Sequence, residues 1–173
     1  MFFSHQKDVN RKQYQNFLRI VGSLSNLFSD SNIPYLYYRI AEKIFCRAFN
    51  AEDLSRSDVS IDAKKKSIGI GLKTFLRGNN KTFQKIAEFN ADRKLYTNFS
   101  PKDLITKISE LRNNRLNFTE NLHAIDDSIY HCIVRDQNIF KIFEKKMSKI
   151  DIDNISNIKT NKNSIIFSDG ISQ

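Results

Sequence analysis

A chain of 173 residues, 40% of them hydrophobic, is long enough to bury the core of one domain, and this composition excludes global disorder. Its 28 Lys and Arg outnumber 19 Asp and Glu, and the resulting net charge of +9 favours a polyanionic partner such as nucleic acid or an anionic membrane surface. An AT-rich coding sequence would also produce such a lysine excess, so the charge alone assigns no partner.

The apolar runs are too short for a membrane span, and the first residues lack a signal-peptide pattern. Cys46 and Cys132 are the only cysteines, and both lie in apolar runs. We therefore expect two buried free thiols in a cytoplasmic protein that has no membrane partner.

Two amphipathic helices are predicted first in the chain. In residues 8–28, apolar side chains recur at spacings of three and four. The second helix runs from about Tyr35 to Phe49, with Glu42 beside its apolar stripe and a basic face formed by Arg39, Lys43 and Arg47. Bases could stack on Tyr35, Tyr37 and Tyr38, but their helical spacing favours core packing.

Residues 55–76 predict a β-hairpin with one apolar and one polar face, because side chains alternate along strands. The apolar face comprises Val59, Ile61, Ile68, Ile70 and Leu72. The other face comprises Asp58, Ser60, Asp62, Gly69, Gly71 and Lys73. A turn centred on Lys65-Lys66 places Asp58 opposite Lys73, Ser60 opposite Gly71 and Asp62 opposite Gly69.

Helices and then strands are predicted in the rest of the chain. Helical patterns cover Thr82 to about Leu95 and Pro101 to about Glu120, where Ser100-Pro101 gives a strong start. Strands are expected at residues 128–134, 139–143 and 164–167, and residues 150–158 are ambiguous. An Asp-Gly turn signal at 169–170 calls for a further strand, which suggests an N-terminal or truncated portion of a longer protein.

This order predicts an α/β (α+β) fold, a mixed β-sheet with flanking helices. Residues 1–126 form its helical and hairpin part, and residues 127–173 form the C-terminal strands of the same domain, possibly cut short.

The order and the hairpin resemble the PD-(D/E)xK nucleases, in which a hairpin carries a metal-binding acid and a lysine and an upstream helix often adds a glutamate. Residues 56–62 and 69–75 are similar to a group of bacterial restriction-endonuclease-like proteins, and the similarity extends over about residues 27–170. In this comparison Asp58 matches the invariant aspartate and Lys73 the lysine. Gly71 departs from the pattern, because the second acid belongs there. Asp62 or Glu42 would replace it.

The resemblance implies a restriction-endonuclease-like core that hydrolyses double-stranded DNA with Mg²⁺. Asp58, with Asp62 or Glu42, would hold the ion, and Lys73 would stabilise charge on the phosphate or orient the attacking water. Gly69 and Gly71 would leave space for the DNA backbone. Neighbouring phosphates would be bound by Lys64, Lys65, Lys66, Lys81, Lys85, Arg93 and Lys94. A companion DNA methyltransferase is implied, and palindromic cutting would require a homodimer.

Other interpretations remain open on the sequence. Asp58 and Lys73 are also compatible with an ordinary cross-strand ion pair, and Glu42 with a pair to Arg39 or Arg47. The chain would then be a non-catalytic DNA-binding module or an inactive truncated nuclease. A structural protein–protein module would account for the core but not for the polar hairpin face. His131, inside an apolar strand, is expected to be a core histidine with satisfied hydrogen bonds.

Overall fold

The computed structural model describes residues 1–57, 59–78, 89–162 and 164–171. Within these ranges it has three α-helices: α1 (Asp8–Ser25), α2 (Tyr38–Phe49) and α3 (Pro101–Leu122). Its strands are β1 (Glu52–Asp53), β2 (Ala63–Lys65), β3 (Ile68–Leu76), β4 (Asp127–Asp136), β5 (Ile139–Lys146), β6 (Ser156–Asn161) and β7 (Ser164–Ser168). No helix in these ranges combines the length and apolarity that crossing a membrane requires.

The first five strands form one mixed sheet in chain order, β1-β2-β3-β4-β5. Strands β3 and β4 are parallel, and the other neighbours are antiparallel. The parallel pair requires a long crossover, and α3 lies in it. The expected mixed sheet with flanking helices is therefore confirmed.

The chain divides into two compact units, which are described separately. The first, the sheet unit, consists of Met1–Gln84 and Thr119–Met147 and contains α1, α2 and the five-stranded sheet. The second unit consists of Lys85–Phe118 and Ser148–Gln173 and contains most of α3 and the β6–β7 hairpin.

Helices α1 and α2 supply the core of the sheet unit together with alternate residues of β3 and β4. Ile70 and Leu72 of β3 and Ile133 of β4 are at most 6% exposed, and they belong to one cluster with the apolar sides of both helices. The helical and N-terminal members of that cluster are Phe2, Tyr14, Leu18, Leu36, Ala41, Ile44, Phe45, Cys46, Ala48 and Phe49. Burying each large member contributes about 1.5–3 kcal/mol.

His131 is fully buried in this core, and both of its ring nitrogens have partners. Nδ1 lies 2.9 Å from Glu144 Oε1, and Nε2 lies 2.9 Å from the Tyr14 hydroxyl. A carboxylate only accepts, so Nδ1 carries a proton. The Glu144 oxygens also accept the Phe3 N–H at 3.0 and 3.1 Å. The prediction of a satisfied core histidine is confirmed.

The two cysteines are free and buried, as expected. Burial raises the pKa of Cys46 to about 12 and that of Cys132 to about 11. Both are therefore protonated thiols at neutral pH.

The hairpin is displaced from its expected position. The first strand predicted at residues 57–62 is wrong: β2 begins at Ala63, and the turn centres on Lys66-Ser67 with Lys66 at φ 55°. Gly69 therefore pairs with Lys64 instead of Asp62. The pairing moves by two residues, so residues on β3 keep the faces that alternation gave them.

Both N-terminal helices are shorter than predicted. Helix α1 ends at Ser25, which leaves Leu24 half-exposed and Phe28 exposed beyond its end. Helix α2 begins at Tyr38 and ends before Asn50, whose φ of 48° is left-handed, a conformation that Asn tolerates at a helix end.

In the second unit α3 begins as predicted. The Ser100 hydroxyl accepts the Asp103 N–H at 3.2 Å and caps the helix. Strand β7 pairs with β6, which precedes it in the chain. Of the helix predicted from Thr82 to Leu95, residues 79–88 lie outside the described ranges, and Asn90–Leu95 forms a 3₁₀ helix.

Candidate active site

Asp62 lies where β2 begins, and it is fixed by main-chain hydrogen bonds on both sides. Its N–H donates to Ile70 O, and its carbonyl accepts from Leu54 N, each at 3.0 Å. Its carboxylate Oδ2 accepts the Leu72 N–H at 2.7 Å. The side chain thus continues the pairing along β3, and its direction is set by the backbone.

Lys73 follows Leu72 on β3 and projects from the opposite face of the strand. Its Nζ lies 3.6 Å from Asp62 Oδ2, the same oxygen that accepts the Leu72 N–H. The side chains of Lys73 and Asp62 are 20% and 23% exposed, so both charges are partly shielded and still reachable from solvent.

Glu42 approaches from α2 and is almost completely buried, with 5% of its surface exposed. Its Oε2 has no hydrogen-bond partner among the described residues. Burial raises the pKa of Glu42, the negative charge of Asp62 raises it further, and Arg39, with Nη1 3.6 Å from Oε2, opposes both. Asp62 is therefore the common neighbour: its charge acts on Glu42, and its carboxylate lies 3.6 Å from the Lys73 ammonium. We call Glu42, Asp62 and Lys73 the acid–lysine site.

A second acid beside α2, Asp53, is already neutralised. It is ion-paired with Lys43, and its Oδ1 accepts hydrogen bonds from the N–H and the hydroxyl of Ser55. Burial would raise its pKa, but the Lys43 and Ser55 hydrogen bonds prevail and lower it to about 2. The sequence pattern does not single out Asp53; its Asp-Leu-Ser spacing, typical of an Asx-turn, is the signal that locates it.

The expectation that Gly69 and Gly71 leave an open strand surface is wrong. A Cβ on Gly69 would lie 2.5 Å from Ile61 Cδ1, and one on Gly71 would lie 2.6 Å from Met147 Cε. Ile61 therefore covers the polar face of the hairpin instead of the core face predicted for it, and Met147 and Tyr130 cover Gly71.

The remaining predicted site residues include the lysines of the hairpin turn and two cations of the second unit. Asp58, Lys81 and Lys85 lie outside the described residues. Lys64 and Lys65 end β2, with the Lys65 ammonium bound to Asn50 O at 2.9 Å, and Lys66 is an exposed turn residue. Arg93 and Lys94 are exposed in the second unit.

The described residues contain no group of three or more His, Cys, Asp or Glu side chains that could hold a metal ion. Mg²⁺ needs fewer, because it keeps several waters and is usually bound through one or two carboxylates. An ion at the acid–lysine site would also coordinate the buried Glu42 Oε2, which accepts no hydrogen bond among the described residues and has only the Arg39 ion pair at 3.6 Å. The two acids present therefore fit Mg²⁺.

No family model, curated protein or solved structure matches this chain.

Proposed function

We propose that the chain is a restriction-endonuclease-like, Mg²⁺-dependent DNA phosphodiesterase that acts at the acid–lysine site. One observation carries the proposal: Glu42 is buried with no hydrogen bond to its Oε2 among the described residues and feels the charge of Asp62, a second carboxylate that lies 3.6 Å from Lys73. Burying a carboxylate is costly, and perturbed acids of this kind concentrate at functional sites.

The arrangement of elements supports the same proposal. Asp62 and Lys73 lie on the hairpin, and α2 precedes the hairpin and carries Glu42. This is the arrangement that the resemblance to the PD-(D/E)xK nucleases implies. The absence of an acid at Gly71 is the departure, and Glu42 replaces it.

Each residue has a distinct role in the proposed reaction. Glu42 and Asp62 would hold the Mg²⁺, which polarises the phosphate and makes bound water more acidic. The Leu72 N–H fixes the direction of the Asp62 carboxylate before substrate arrives. Lys73, one residue along the strand, donates to the phosphate oxygen on which negative charge develops.

A plasmid-cleavage assay tests the proposal. Unmethylated plasmid DNA is incubated with the native chain, with Mg²⁺ or with EDTA, beside Glu42→Gln, Asp62→Asn, Lys73→Ala and Asp58→Ala. We expect cleavage only with Mg²⁺, and a loss of about 10²–10³-fold when Lys73 is removed. Asp127→Asn changes an exposed acid outside the site and should cleave at the native rate. The absence of Mg²⁺-dependent cleavage by the native chain would contradict the proposal.

The second candidate is a non-catalytic basic DNA-binding module. The covered glycine face favours it, because Gly71 supplies no acid and Ile61 and Met147 leave no open strand surface at Gly69 and Gly71. It predicts DNA binding that weakens steeply with salt and survives both Asp62→Asn and Lys73→Ala, without cleavage.

The proposed phosphodiesterase has further implications. We expect double-stranded DNA as substrate, a cytoplasmic location, a companion DNA methyltransferase and, for palindromic cutting, a homodimer. Sedimentation with and without a palindromic duplex measures the last of these.

A further inference from the structure

Three tyrosines at the start of α2 lie on the surface of the sheet unit. Tyr35, Tyr37 and Tyr38 are 57%, 42% and 48% exposed, so the core packing favoured by their spacing is wrong. The core side of α2 is formed by Ala41, Phe45 and other apolar residues further along the helix. The backbone of Tyr37 is still extended, with φ −70° and ψ 134°, so it is outside the helical register that the spacing assumed.

Aromatic rings and guanidinium groups lie close to one another on this surface. The Tyr37 and Tyr38 ring centroids are 4.6 Å apart, and the Arg39 guanidinium lies 5.3 Å from the centre of the Tyr38 ring. About two helical turns after Arg39, the Arg47 guanidinium lies 5.5 Å from the centre of the Phe17 ring. Both guanidinium groups thus lie within cation–π distance of an aromatic ring.

A shallow groove of about 350 Å³ lies beside Tyr37, Arg39 and Arg47. Its lining includes Phe17, Tyr37 and Ile40, together with the cations Arg39, Lys43 and Arg47. No described residue of this lining is acidic, although Lys43 is paired with Asp53 at the rim. The groove therefore combines exposed aromatic side chains with three cations, of which Arg39 is also paired with Glu42 and Lys43 with Asp53. The remaining excess of positive charge suits a polyanion.

A single-stranded nucleic acid matches both features. Its phosphates complement the arginines, and its unpaired bases have free faces that stack on aromatic rings. A duplex offers the phosphates only, because its bases are stacked on one another. We propose that this surface, formed by Tyr37, Tyr38, Arg39 and Arg47, binds single-stranded nucleic acid.

The surface adjoins the acid–lysine site through Arg39. The same guanidinium that lies over the Tyr38 ring is 3.6 Å from Glu42 Oε2, and Tyr38 precedes Glu42 by one helical turn. A strand held on the surface would therefore lead to Glu42. This step rests on the proposed function, and it narrows the proposed substrate to double-stranded DNA that contains an unpaired segment.

Binding is measured without hydrolysis, by fluorescence anisotropy in EDTA. The probes are a labelled strand of about 12 thymidines, the corresponding uridine strand and a duplex of the same length. We expect the native chain to bind single strands more tightly than the duplex. The double variant Tyr37→Ala/Tyr38→Ala should raise the Kd for the single strand by about 5- to 100-fold.

Matched variants separate stacking from charge. Tyr37→Phe/Tyr38→Phe keeps both rings and should retain binding within about twofold. Arg39→Gln/Arg47→Gln should reduce the slope of log Kd against log salt, whereas Lys146→Gln, an exposed cation on β5, should leave Kd nearly unchanged. If the alanine variant does not fold, Tyr38→Leu replaces it.

Native affinity in the alanine or leucine variant, or preference of the native chain for duplex, would overturn the proposal. A higher affinity for uridine than for thymidine strands would keep the surface but contradict DNA as its ligand. Single-strand binding without cleavage in Mg²⁺ would contradict the phosphodiesterase and leave the surface intact. Cleavage that the tyrosine variants do not affect would remove the surface from the reaction.

Discussion

Glu42 is the residue whose environment departs most from what its chemistry favours. The Glu42 carboxylate is 5% exposed, and its Oε2 accepts no hydrogen bond from the described residues. When ionised, such a group lowers the stability of the fold. Burial and the charge of Asp62 both raise its pKa. The folded chain therefore holds the Glu42 proton more tightly than the unfolded chain does. Glu42 destabilises the fold increasingly as the pH rises above the ordinary pKa of a glutamate.

We predict that Glu42→Gln raises the thermal midpoint at neutral pH in EDTA, because the amide removes the buried charge and keeps the shape. The difference from the native chain should shrink as pH falls to the ordinary carboxyl pKa and below, because Glu42 is then protonated in the folded chain and increasingly in the unfolded chain. Thermal melts across this range measure it. Glu52→Gln, at an exposed position in β1, is the matched control and should change little. A lower midpoint at neutral pH would contradict the prediction.

The same variant links stability to ion binding. Mg²⁺ should raise the midpoint of the native chain by binding the folded state, and Glu42→Gln should abolish most of that increase. An equal Mg²⁺ response in both proteins would remove Glu42 from the ion site.

Strand β3 depends on its glycines for packing. Ile61 and Met147 occupy the volume that a Cβ at Gly69 or Gly71 would need. These glycines thus have a packing role, because only residues without side chains let the strand lie under these two apolar groups.

Gly71→Ala should destabilise the chain by about 1–3 kcal/mol in urea unfolding, since the added methyl overlaps Met147 and approaches Tyr130. Met147→Ala removes the overlapping group, so the double variant should be more stable than the sum of the two single effects implies. Additive effects would mean that the Gly71 methyl is accommodated elsewhere.

Helix α1 is tied to the sheet by the Tyr14–His131–Glu144 chain of hydrogen bonds. Tyr14→Phe would leave His131 Nε2 buried without its partner and should cost about 1–3 kcal/mol. Urea unfolding measures this loss, and Tyr35→Phe, at an exposed tyrosine, is the control. A loss no larger than that of the control would show that the buried hydroxyl contributes little.

The elements with strong periodicity are predicted well from the sequence. The run at 128–134 gives β4, and Ser100-Pro101 marks the start of α3. The turn of the hairpin is misplaced because the lysine triplet carries no unique turn signal. The residue that turns is Lys66 at positive φ, which is uncommon for lysine.

The site is only partly predictable. Lys73, Asp62 and Glu42 are recognised by residue type and by the faces they occupy. Their proximity depends on how α2 packs on the sheet, which periodicity does not specify. Ile61 and the tyrosines are misassigned for the same reason. Spacing shows which residues share one face of a helix or strand, but not which face the rest of the protein covers.

Across the whole molecule, acid stability should depend on two carboxylates with pKa values of about 2. For Asp136 the causes are hydrogen bonds from Lys141, from the Gln137 N–H and from Arg77. A depressed pKa in the folded state contributes stability above the ordinary value of 3.8, and this contribution is lost as pH falls towards 2.

Asp136→Asn should therefore lower the thermal midpoint at neutral pH, and the difference should disappear near pH 2. Asp127→Asn is the control, because that carboxylate is half-exposed and its ion pair with Lys146, at 3.6 Å, is exposed to solvent. Melts of the three proteins across this range measure the effect, and a difference that persists at about pH 2 would contradict it.

The hydrogen bonds between Phe3 and Glu144 join positions 141 residues apart in the chain. Amides so close to the first residue of a chain usually exchange their hydrogen with solvent within local fraying motions. The Phe3 amide can exchange only when the β5 carboxylate and the buried histidine beside it separate from the N-terminal segment. Its deuterium uptake should therefore follow the opening of the sheet core instead of the mobility of a chain end.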